Sequence, residues 1–323
     1  MSGALDRLTE EERSRLVAAP APRHAGAMKA VLTDERFSRA DWVFERKLDG
    51  IRCVAIKDGD SVRMLSRNDL SLNERYPEIA DALAAQPSAR FAIDGEVVAF
   101  DGSQTSFSRL AQRKQRFVPV FFYVFDLLWL NGVDVRRLPL RARKSLLREA
   151  IRFEDPIRLT THRNGDGVEL FREACSKGWE GLIAKRADSP YSERRSRDWL
   201  KFKCERGQEL VVGGYTDPRG SRSGFGALLL GYFDEGELHY AGKVGTGFDE
   251  ATLADIAGRL RRLETSTPPF ADTTAIERGA HWVEPELVAQ IGFTEWTRHG
   301  RLRHPRFLGL RDDKSASEVV RED

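Results

Sequence analysis

"ERKLDGIRC", residues 45–53, places a lysine, an aspartate and a glycine between two apolar runs that predict β-strands. Val43 and Phe44 precede this stretch, and Val54 follows it. Five of the eight residues from 45 to 52 are charged. A single lysine at a strand end has no diagnostic value, so the rest of the chain must explain why this turn concentrates charge.

Length and composition narrow the class of protein. A chain of 323 residues is long enough for two domains. Hydrophobic residues make up 41% and charged residues 32%, which is typical of globular proteins with apolar cores. The sequence contains no run of about 18 apolar residues, so it predicts no membrane-spanning helix. The charged N-terminus "MSGALDRLTEEERSRL" lacks an apolar signal core, which predicts a cytoplasmic protein.

The three cysteines, Cys53, Cys175 and Cys204, are odd in number and far apart in the sequence. This pattern favours reduced thiols over a disulfide framework or a zinc site.

Basic residues are concentrated locally, although the net charge is only +2. Residues 109–116 contain four basic residues and no acid, residues 184–206 contain eight basic against four acidic, and residues 298–314 contain six against two. Such stretches predict surfaces that face phosphates, with ordinary solvated surface as the alternative for each. As duplex-DNA contacts we single out 109–116, 194–206 and 298–306.

Three segments follow from the chain's composition. Residues 1–25 end in a Pro/Ala-rich stretch and are predicted as a partly ordered leader. Residues 26–205 alternate strand-like and helical runs, which predicts a mixed α+β domain. Within them, Asn-Gly at 131–132 indicates a turn, and Gly178 is expected to end a helix.

Residues 206–323 contain short strands, glycine-rich turns and one helix with Asp249 as its N-cap, which predicts a small OB-fold barrel. A hinge is expected at Arg206-Gly207.

An ordered set of motifs follows the opening stretch. They are "SRN" at 66–68, "DGE" at 94–96, "YVFD" at 123–126, "EGLIAKR" at 180–186, "WLKFK" at 199–203 and "HPRFLGLRDDK" at 304–314. With "KLDG" at 47–50, the series resembles the nucleotidyltransferase motifs of covalent DNA ligases and mRNA capping enzymes. The resemblance spans Glu45 to Lys314. It implies an α+β nucleotidyltransferase (adenylation) domain of antiparallel sheets flanked by helices, followed by an OB-fold domain.

The chemistry of a lysine nucleophile agrees with this resemblance. A lysine attacks an α-phosphate only as the neutral amine, and with a pKa near 10.4 roughly one lysine in a thousand is neutral at pH 7.5. Nearby cations, for which Lys201 and Lys203 are present, or a metal held by carboxylates would favour the neutral form. A metal and fixed cations would also stabilise the charge that develops on a triphosphate.

The resemblance assigns roles to individual residues. Lys47 resembles the nucleophile that becomes lysyl–AMP, and Glu45 resembles the adenine contact. Arg52 and Arg67 resemble contacts to the AMP ribose and to phosphate at the nick. Glu96 resembles the carboxylate that binds the ribose hydroxyls.

Further roles carry simple structural alternatives. Phe125 resembles the aromatic residue that stacks on adenine, with a core aromatic as the alternative. Glu180 resembles the metal ligand, with Asp49 helping it or binding metal too. A carboxylate at a helix end is the alternative for Glu180. Lys201 and Lys203 lie two apart, hence on one face of a strand, where both would reach the α-phosphate unless they simply face solvent.

The last motif resembles the segment that swings toward the pyrophosphate during self-adenylation. Its candidates are Arg306, Arg311, Asp313 and Lys314, and spacing does not decide which arginine makes the contact. Lys185 and Arg186 are additional candidates for phosphate contact.

Residues 209–253 and 281–314 resemble the ligase module of bacterial end-joining ligases. This implies ATP as nucleotide, AMP bound covalently to Lys47, Mg²⁺ or Mn²⁺ as metal, and nicked or broken duplex DNA as substrate. It also implies a Ku-type end-bridging partner and a location on the nucleoid when DNA is bound. The oligomeric state is open, and a monomer is the default expectation for an enzyme that must wrap DNA. Whether the chain is a stand-alone ligase or one module of a larger enzyme stays open.

Two alternatives remain at this point. One is a GTP-dependent capping enzyme or an RNA ligase, which share the lysine motif. The other is a non-catalytic OB-type nucleic-acid-binding protein. Retention of Lys47, Glu96, Glu180, Lys201 and Lys203 argues against the second alternative.

Overall fold

Alternating apolar residues build two β-sheets in the first of the two units into which the chain divides, Met1–Cys204 and Glu205–Asp323. Each unit has its own buried apolar core. The computed structural model describes residues 4–24, 26–114, 117–204, 206–218 and 223–322.

The strands of the first unit pair mainly in antiparallel fashion. In chain order they are β1 Val17–Ala18, β2 Lys29–Leu32, β3 Trp42–Arg46, β4 Ile51–Asp58, β5 Ser61–Ser66, β6 Arg90–Asp101, β7 Gln104–Thr105, β8 Val120–Leu130, β9 Val133–Asp134, β10 Ile157–Leu159, β11 His162–Asn164, β12 Gly181–Arg186 and β13 Arg195–Lys203. Its α-helices are α1 Glu10–Ser14, α2 Pro77–Ala84, α3 Phe107–Ala111, α4 Leu140–Ala150 and α5 Gly167–Ser176.

The two sheets of this unit face each other. Within the described residues, the larger sheet has eight strands in the order β1-β9-β8-β6-β4-β5, with β10 on β8 and β7 on β6. The smaller sheet has five described strands in the order β11-β3-β12-β13-β2. Val54 and Phe125 of the larger sheet pack with Trp199 of the smaller one.

A buried ion pair fixes α4 on β8. Arg143 and Asp126 are both fully buried. Arg143 Nε and Nη2 donate hydrogen bonds to the Asp126 carboxylate at 2.8 and 2.9 Å, and Nη1 donates to Ser189 O at 2.9 Å. The guanidinium is therefore satisfied by a bidentate carboxylate and a backbone carbonyl.

Replacing Arg143 with methionine is expected to lower the free energy of unfolding by about 3–5 kcal/mol, because the Asp126 carboxylate stays buried without its cation. For a unit of this size, that corresponds to a fall in Tm of about 6–20 °C in calorimetry. The double variant Arg143→Met/Asp126→Leu removes both charges and should recover most of the loss. A double variant as unstable as the single one would contradict this account.

The second unit has short strands and one α-helix in its described part. Its strands are β14 Arg206–Tyr215, β15 Leu228–Asp234, β16 Glu237–Val244, β17 Glu264–Thr265, β18 His281–Val283, β19 Val288–Phe293, β20 Glu295–Trp296, β21 Leu302–Arg303 and β22 Arg306–Leu310, and its helix is α6 Glu250–Arg262. Seven of these strands form one sheet, and β20 pairs with β21. The predicted α+β class is confirmed, with this strand-rich unit as the OB-fold region. No helix among the described residues is both long and apolar enough to cross a membrane.

Local sequence signals hold where they were expected. Asn131 and Gly132 have φ of 49° and 87° and join β8 to β9. Gly178 has φ of 67° just beyond α5. The Asp249 side chain caps α6 by accepting a hydrogen bond from Thr252 N at 2.8 Å.

The segment predicted as a leader is part of the first unit. Strand β1 pairs with β9, and Leu8 is buried in the larger core. Trp129 Nε1 donates a hydrogen bond to Ala19 O at 2.8 Å, although the two residues are 110 apart in sequence. Residues that look like a tail in sequence therefore pack, because their partners lie far along the chain.

The expectation of reduced thiols is wrong for two of the three cysteines. Cys175 and Cys204 form a disulfide, with Cα atoms 5.3 Å apart and a sequence separation of 29. Cys175 lies in the last turn of α5, and Cys204 directly follows β13, where its N–H donates a hydrogen bond to Glu180 O at 3.0 Å. Cys53 is a buried free thiol.

Candidate active site

Lys47 directly follows β3, where the chain turns toward β4. Its backbone N–H donates a hydrogen bond to Gly181 O at 2.9 Å, which joins this turn to the start of β12. The lysine side chain is 19% exposed, and its Nζ lies 2.5 Å from Glu180 Oε1. The predicted nucleophile and the predicted metal ligand therefore form an ion pair.

Carboxylates control the protonation of Lys47. Burial lowers the pKa of Lys47, but Glu180, together with Asp49 and Glu96, outweighs burial and raises the pKa above its ordinary value. The lysine is therefore an ammonium ion in this arrangement. Neighbouring lysines were expected to lower the pKa of Lys47. This expectation is wrong for the structure, because the nearby carboxylates have the larger effect.

Two glycines allow this close arrangement. A side chain at Gly50 would put its Cβ 2.2 Å from Val97 O, so only glycine lets the turn lie against β6. Gly181 has φ of 146°, and a Cβ there would lie 1.8 Å from Phe202 O. Gly50 thus seats the turn that carries Lys47, and Gly181 lets β12 begin directly after Glu180.

Asp49 is bound to the backbone on the other side of the turn. Its Oδ2 accepts a hydrogen bond from Phe107 N at 2.9 Å, and its own N–H donates to Thr105 Oγ1 at 3.1 Å. Because Phe107 begins α3, the carboxylate lies at a helix N-terminus. Asp49 therefore anchors the turn to α3, and its role toward a metal stays a prediction.

Glu180 offers an oxygen for a cation. Its Oε2 is buried and makes no hydrogen bond to any described residue. In the described part of the chain, no three or more His, Cys, Asp or Glu side chains form a ready-made metal cluster. A single carboxylate suits Mg²⁺, which commonly takes its other ligands from substrate phosphates and water. The residues present therefore fit such a cation.

The register of the smaller sheet aligns the predicted site residues in two rows. In one row Glu45 lies opposite Ile183, which lies opposite Lys201. In the other, Gly181 accepts the hydrogen bond from Lys47 and lies opposite Lys203. Lys201 is 9% exposed and Lys203 is half-buried. The two predicted phosphate contacts thus lie one strand beyond β12, on the same face of β13.

Glu45 is held by two lysines. It forms ion pairs with Lys144 and, at 2.7 Å, with Lys185. Burial raises the pKa of Glu45, but the two ammonium groups outweigh burial and hold the pKa below its ordinary value. Burial also lowers the pKa of Lys185 to about 8, although Glu45 opposes this effect. An ionised Glu45 therefore lies where an adenine contact is predicted.

Phe125 lies between the two sheets and is 7% exposed. Its ring packs edge-on against Trp199, with ring centres 6.0 Å apart. Arg52 Cζ and Lys185 Nζ lie 4.6 and 4.0 Å from its ring centre. In the structure Phe125 is therefore a core aromatic residue, which was the alternative interpretation. Its stacking on adenine stays a prediction.

Arg52 belongs to a buried network. Its Nε and Nη2 donate hydrogen bonds to Asp94 at 2.5 Å each, and Tyr191 Oη donates to Asp94 at 2.7 Å. Burial lowers the pKa of Arg52, but Asp94 outweighs it and raises the pKa overall. Glu96 lies opposite Arg52 on the neighbouring strand. Arg52 and Glu96 are thus adjacent, as expected for two contacts to one ribose.

The remaining predicted residues lie elsewhere. Arg67 is half-buried in the turn after β5. Arg306 and Arg311 belong to the second unit, where Arg306 is exposed on β22. Arg311 is buried and donates two hydrogen bonds to Asp313 at 2.9 Å. Lys314 forms an ion pair with Glu209 at 3.0 Å.

Sequence reasoning missed Lys144. This residue shares a helix face with the buried Leu140 and Leu147, at a spacing that predicts burial. Its Nζ donates a hydrogen bond to Phe125 O at 3.1 Å in addition to pairing with Glu45. The sequence did contain a signal for it, because a lysine on the apolar face of a predicted helix indicates a buried cation that needs an acidic partner.

The basic stretches are only partly available to DNA. Arg113 already has partners within the protein, because it forms an ion pair with Glu78 at 2.6 Å and donates a hydrogen bond to Arg75 O at 3.2 Å. Gln115 and Arg116 in the first stretch and Glu205 in the second lie outside the described residues.

Comparison with known proteins extends this account. Residues 22–203 match the family model of the ATP dependent DNA ligase domain, and residues 221–314 match that of the ATP dependent DNA ligase C terminal region. The chain is 39% identical over 298 residues to the multifunctional non-homologous end joining protein LigD of Pseudomonas aeruginosa, covering 89% of this chain and 36% of that protein.

A similar relative is the multifunctional non-homologous end joining DNA repair protein LigD of Mycobacterium tuberculosis. It is 39% identical over 290 residues, covering 88% of this chain and 38% of that protein. The chain therefore spans little more than a third of the length of these curated relatives. The solved structure of mycobacterial DNA ligase D complexed with ATP and MES is 36% identical, with a TM-score of 0.67 over 92% of this chain and 98% of that chain.

Proposed function

Because the chain belongs to the ATP-dependent DNA ligase family, we propose that it joins 3′-hydroxyl and 5′-phosphate ends in duplex DNA by transferring AMP through Lys47. The observation that carries this proposal is the placement of Lys47. Its Nζ lies 2.5 Å from the Glu180 carboxylate, at the end of the sheet that also carries Lys201 and Lys203.

In the first step, Lys47 Nζ attacks the α-phosphorus of ATP. The N–P bond forms as the bond from that phosphorus to the pyrophosphate oxygen breaks, so pyrophosphate leaves. Lys47 must first release a proton, and Glu180 Oε1, which lies 2.5 Å from Nζ, is the acceptor within reach. Lys201 and Lys203 stabilise the negative charge that develops on the phosphates.

A divalent cation fits this step. Mg²⁺, or Mn²⁺ in its place, would be held by Glu180 with Asp49 nearby, and would supply charge neutralisation on the triphosphate.

The second and third steps would take place in the same site. A 5′-phosphate oxygen at the nick attacks the AMP phosphorus, and the Lys47 amine leaves. The 3′-hydroxyl then attacks the DNA phosphorus, and AMP leaves as the phosphodiester forms. Arg67 would contact the 5′-phosphate. Positioning and fixed charge account for most of the catalysis, as in phosphoryl transfer generally.

The nucleotide would lie between the two facing sheets of the first unit. Glu45 would accept a hydrogen bond from adenine, and Phe125 would stack on its face. Arg52 and Glu96 would contact the ribose. Of the two arginines of the second unit, Arg306 is the proposed contact to pyrophosphate, because it is exposed whereas Arg311 is buried against Asp313.

The substrate and partners follow from the named relatives. We infer that DNA breaks as well as nicks are sealed, because the relatives are named as end-joining proteins. A Ku-type end-bridging protein would be the partner, and the chain would act as a monomer. The site of action would be the bacterial cytoplasm, on the nucleoid when DNA is bound.

Nucleotide transfer provides the direct test. The protein should take up label from ATP, but not from GTP, when each is labelled at the α-phosphate and Mg²⁺ is present. The labelled protein should then pass AMP to nicked DNA and seal it, but not to nicked RNA. Transfer from GTP would indicate a capping-type enzyme, sealing of RNA would indicate an RNA ligase, and no label from either nucleotide would indicate a non-catalytic binding protein.

A further inference from the structure

A cavity of about 470 Å³ lies between helix α4 and the edge strand β11. Arg141, Lys144 and Arg148 line it from α4. Their spacing of three and four residues places them on one face of the helix. His162 and Asn164 line it from β11, two residues apart and thus on one face of the strand. Five polar side chains from two elements therefore converge on one space.

This cavity is rich in donors and positive charge. Its described lining includes no acidic side chain. Arg148, His162 and Asn164 make no side-chain hydrogen bond or ion pair with any other described residue. Arg141 donates one hydrogen bond, from Nη2 to Ala40 O at 2.9 Å. Unused guanidinium, amide and imidazole groups around one space suit a ligand with several negatively charged oxygens.

The pKa of His162 reflects both its burial and the charged groups around it. Burial, followed by Lys144, lowers the pKa of His162 to about 4, with Arg148 and Lys185 adding to the effect and Glu45 opposing it. Of the three cations beside this imidazole, Lys144 and Lys185 share the Glu45 carboxylate, whereas Arg148 forms no ion pair with a described residue. An anion in the cavity would reverse this effect and favour the protonated ring.

We propose that this cavity is a phosphate-binding site, in which Arg141, Lys144 and Arg148 supply charge and His162 and Asn164 supply hydrogen bonds. The site goes beyond the proposed ligase reaction, which uses neither Arg141, Arg148, His162 nor Asn164. Its ligand is a phosphate group, either of a DNA strand or of a small phosphorylated molecule. Because Lys144 also pairs with Glu45, a bound phosphate would share this lysine with the carboxylate proposed to face adenine.

Titration of His162 by NMR tests the proposal with inorganic phosphate as the probe. At constant ionic strength, phosphate should raise the pKa of His162 by about one unit or more, because it adds negative charge beside the ring. His162→Gln identifies the resonance. Arg148→Gln should weaken phosphate binding about tenfold, since a charge-assisted contact is lost. Arg172→Gln, at an exposed arginine on α5, is the matched control and should change nothing.

A second measurement identifies the source of the phosphate. The affinity for an intact DNA duplex is measured by fluorescence anisotropy for wild type and Arg148→Gln across a range of salt. If the ligand is a DNA strand, Arg148→Gln should bind the duplex more weakly. The slope of log affinity against log salt concentration should then fall by about one, which corresponds to one lost phosphate contact. If the ligand is a small phosphorylated molecule, duplex affinity should not change while phosphate binding is lost. Absence of a phosphate effect on His162 overturns the proposal whatever the duplex result.

Discussion

Replacing Lys47 with arginine is expected to abolish transfer of AMP from ATP to the protein. Arginine keeps the positive charge and the ion pair with Glu180, but its guanidinium does not lose its proton in proteins and so cannot attack phosphorus. The expected loss is at least about 10⁴-fold, because no neighbouring group replaces the amine. Incubation with ATP labelled at the α-phosphate, followed by denaturing electrophoresis, measures it.

A matched control separates chemistry from charge. Lys177 forms a 2.5 Å ion pair with Glu173 elsewhere in the first unit, so Lys177→Arg changes a similar pair without touching the site. It should retain full labelling. The Lys47→Arg protein should also still seal DNA that is supplied already adenylated, because the last step does not use the lysine amine. Retained labelling in Lys47→Arg would place the nucleophile elsewhere.

Replacing Glu180 with glutamine is expected to slow self-adenylation on the order of 100-fold, about 2.7 kcal/mol of transition-state stabilisation. Two effects oppose each other in this variant. Loss of the carboxylate lowers the pKa of Lys47 and so frees the amine, but it also removes the negative charge and one of the two oxygens that fit a cation. We expect the second effect to dominate at saturating ATP, because charge on the triphosphate must be neutralised for pyrophosphate to leave.

The pH profile distinguishes the two effects. In the wild type the pKa of Lys47 is raised, so the neutral fraction, and with it the labelling rate, should grow about tenfold per pH unit from about pH 6 to 9. In Glu180→Gln the same rise should level off at lower pH. Faster labelling than wild type at neutral pH would mean that Glu180 only restrains the lysine and binds no cation.

Local features of the fold could be predicted, whereas long-range pairing could not. Asn131-Gly132 and the Asp249 cap depend on neighbouring residues alone, and both hold in the structure. The Cys175–Cys204 disulfide and the packing of Ala19 depend on residues brought together by the whole unit. No periodicity or spacing in those segments carries that information.

Which residues lie together in the candidate site could be predicted better than the pKa shifts of those residues. The motif series assigned Lys47 and Glu180 to one site, as nucleophile and metal ligand, and the structure places Lys47 Nζ 2.5 Å from Glu180 Oε1. The direction of the pKa shift of Lys47 was missed, because it depends on which charges lie nearest to Nζ. Lys144 was missed for a related reason, since its partner Glu45 lies on a different element.

The Lys47–Glu180 ion pair has a consequence for the lifetime of the protein. A neutral buried amine would react with any small electrophile that entered the cleft, including aldehydes and acylating metabolites. Held as an ammonium ion against a carboxylate, Lys47 has no lone pair to offer such compounds. In the proposed reaction, the contact that is broken for catalysis would therefore also protect the Lys47 amine from chemical damage between turnovers.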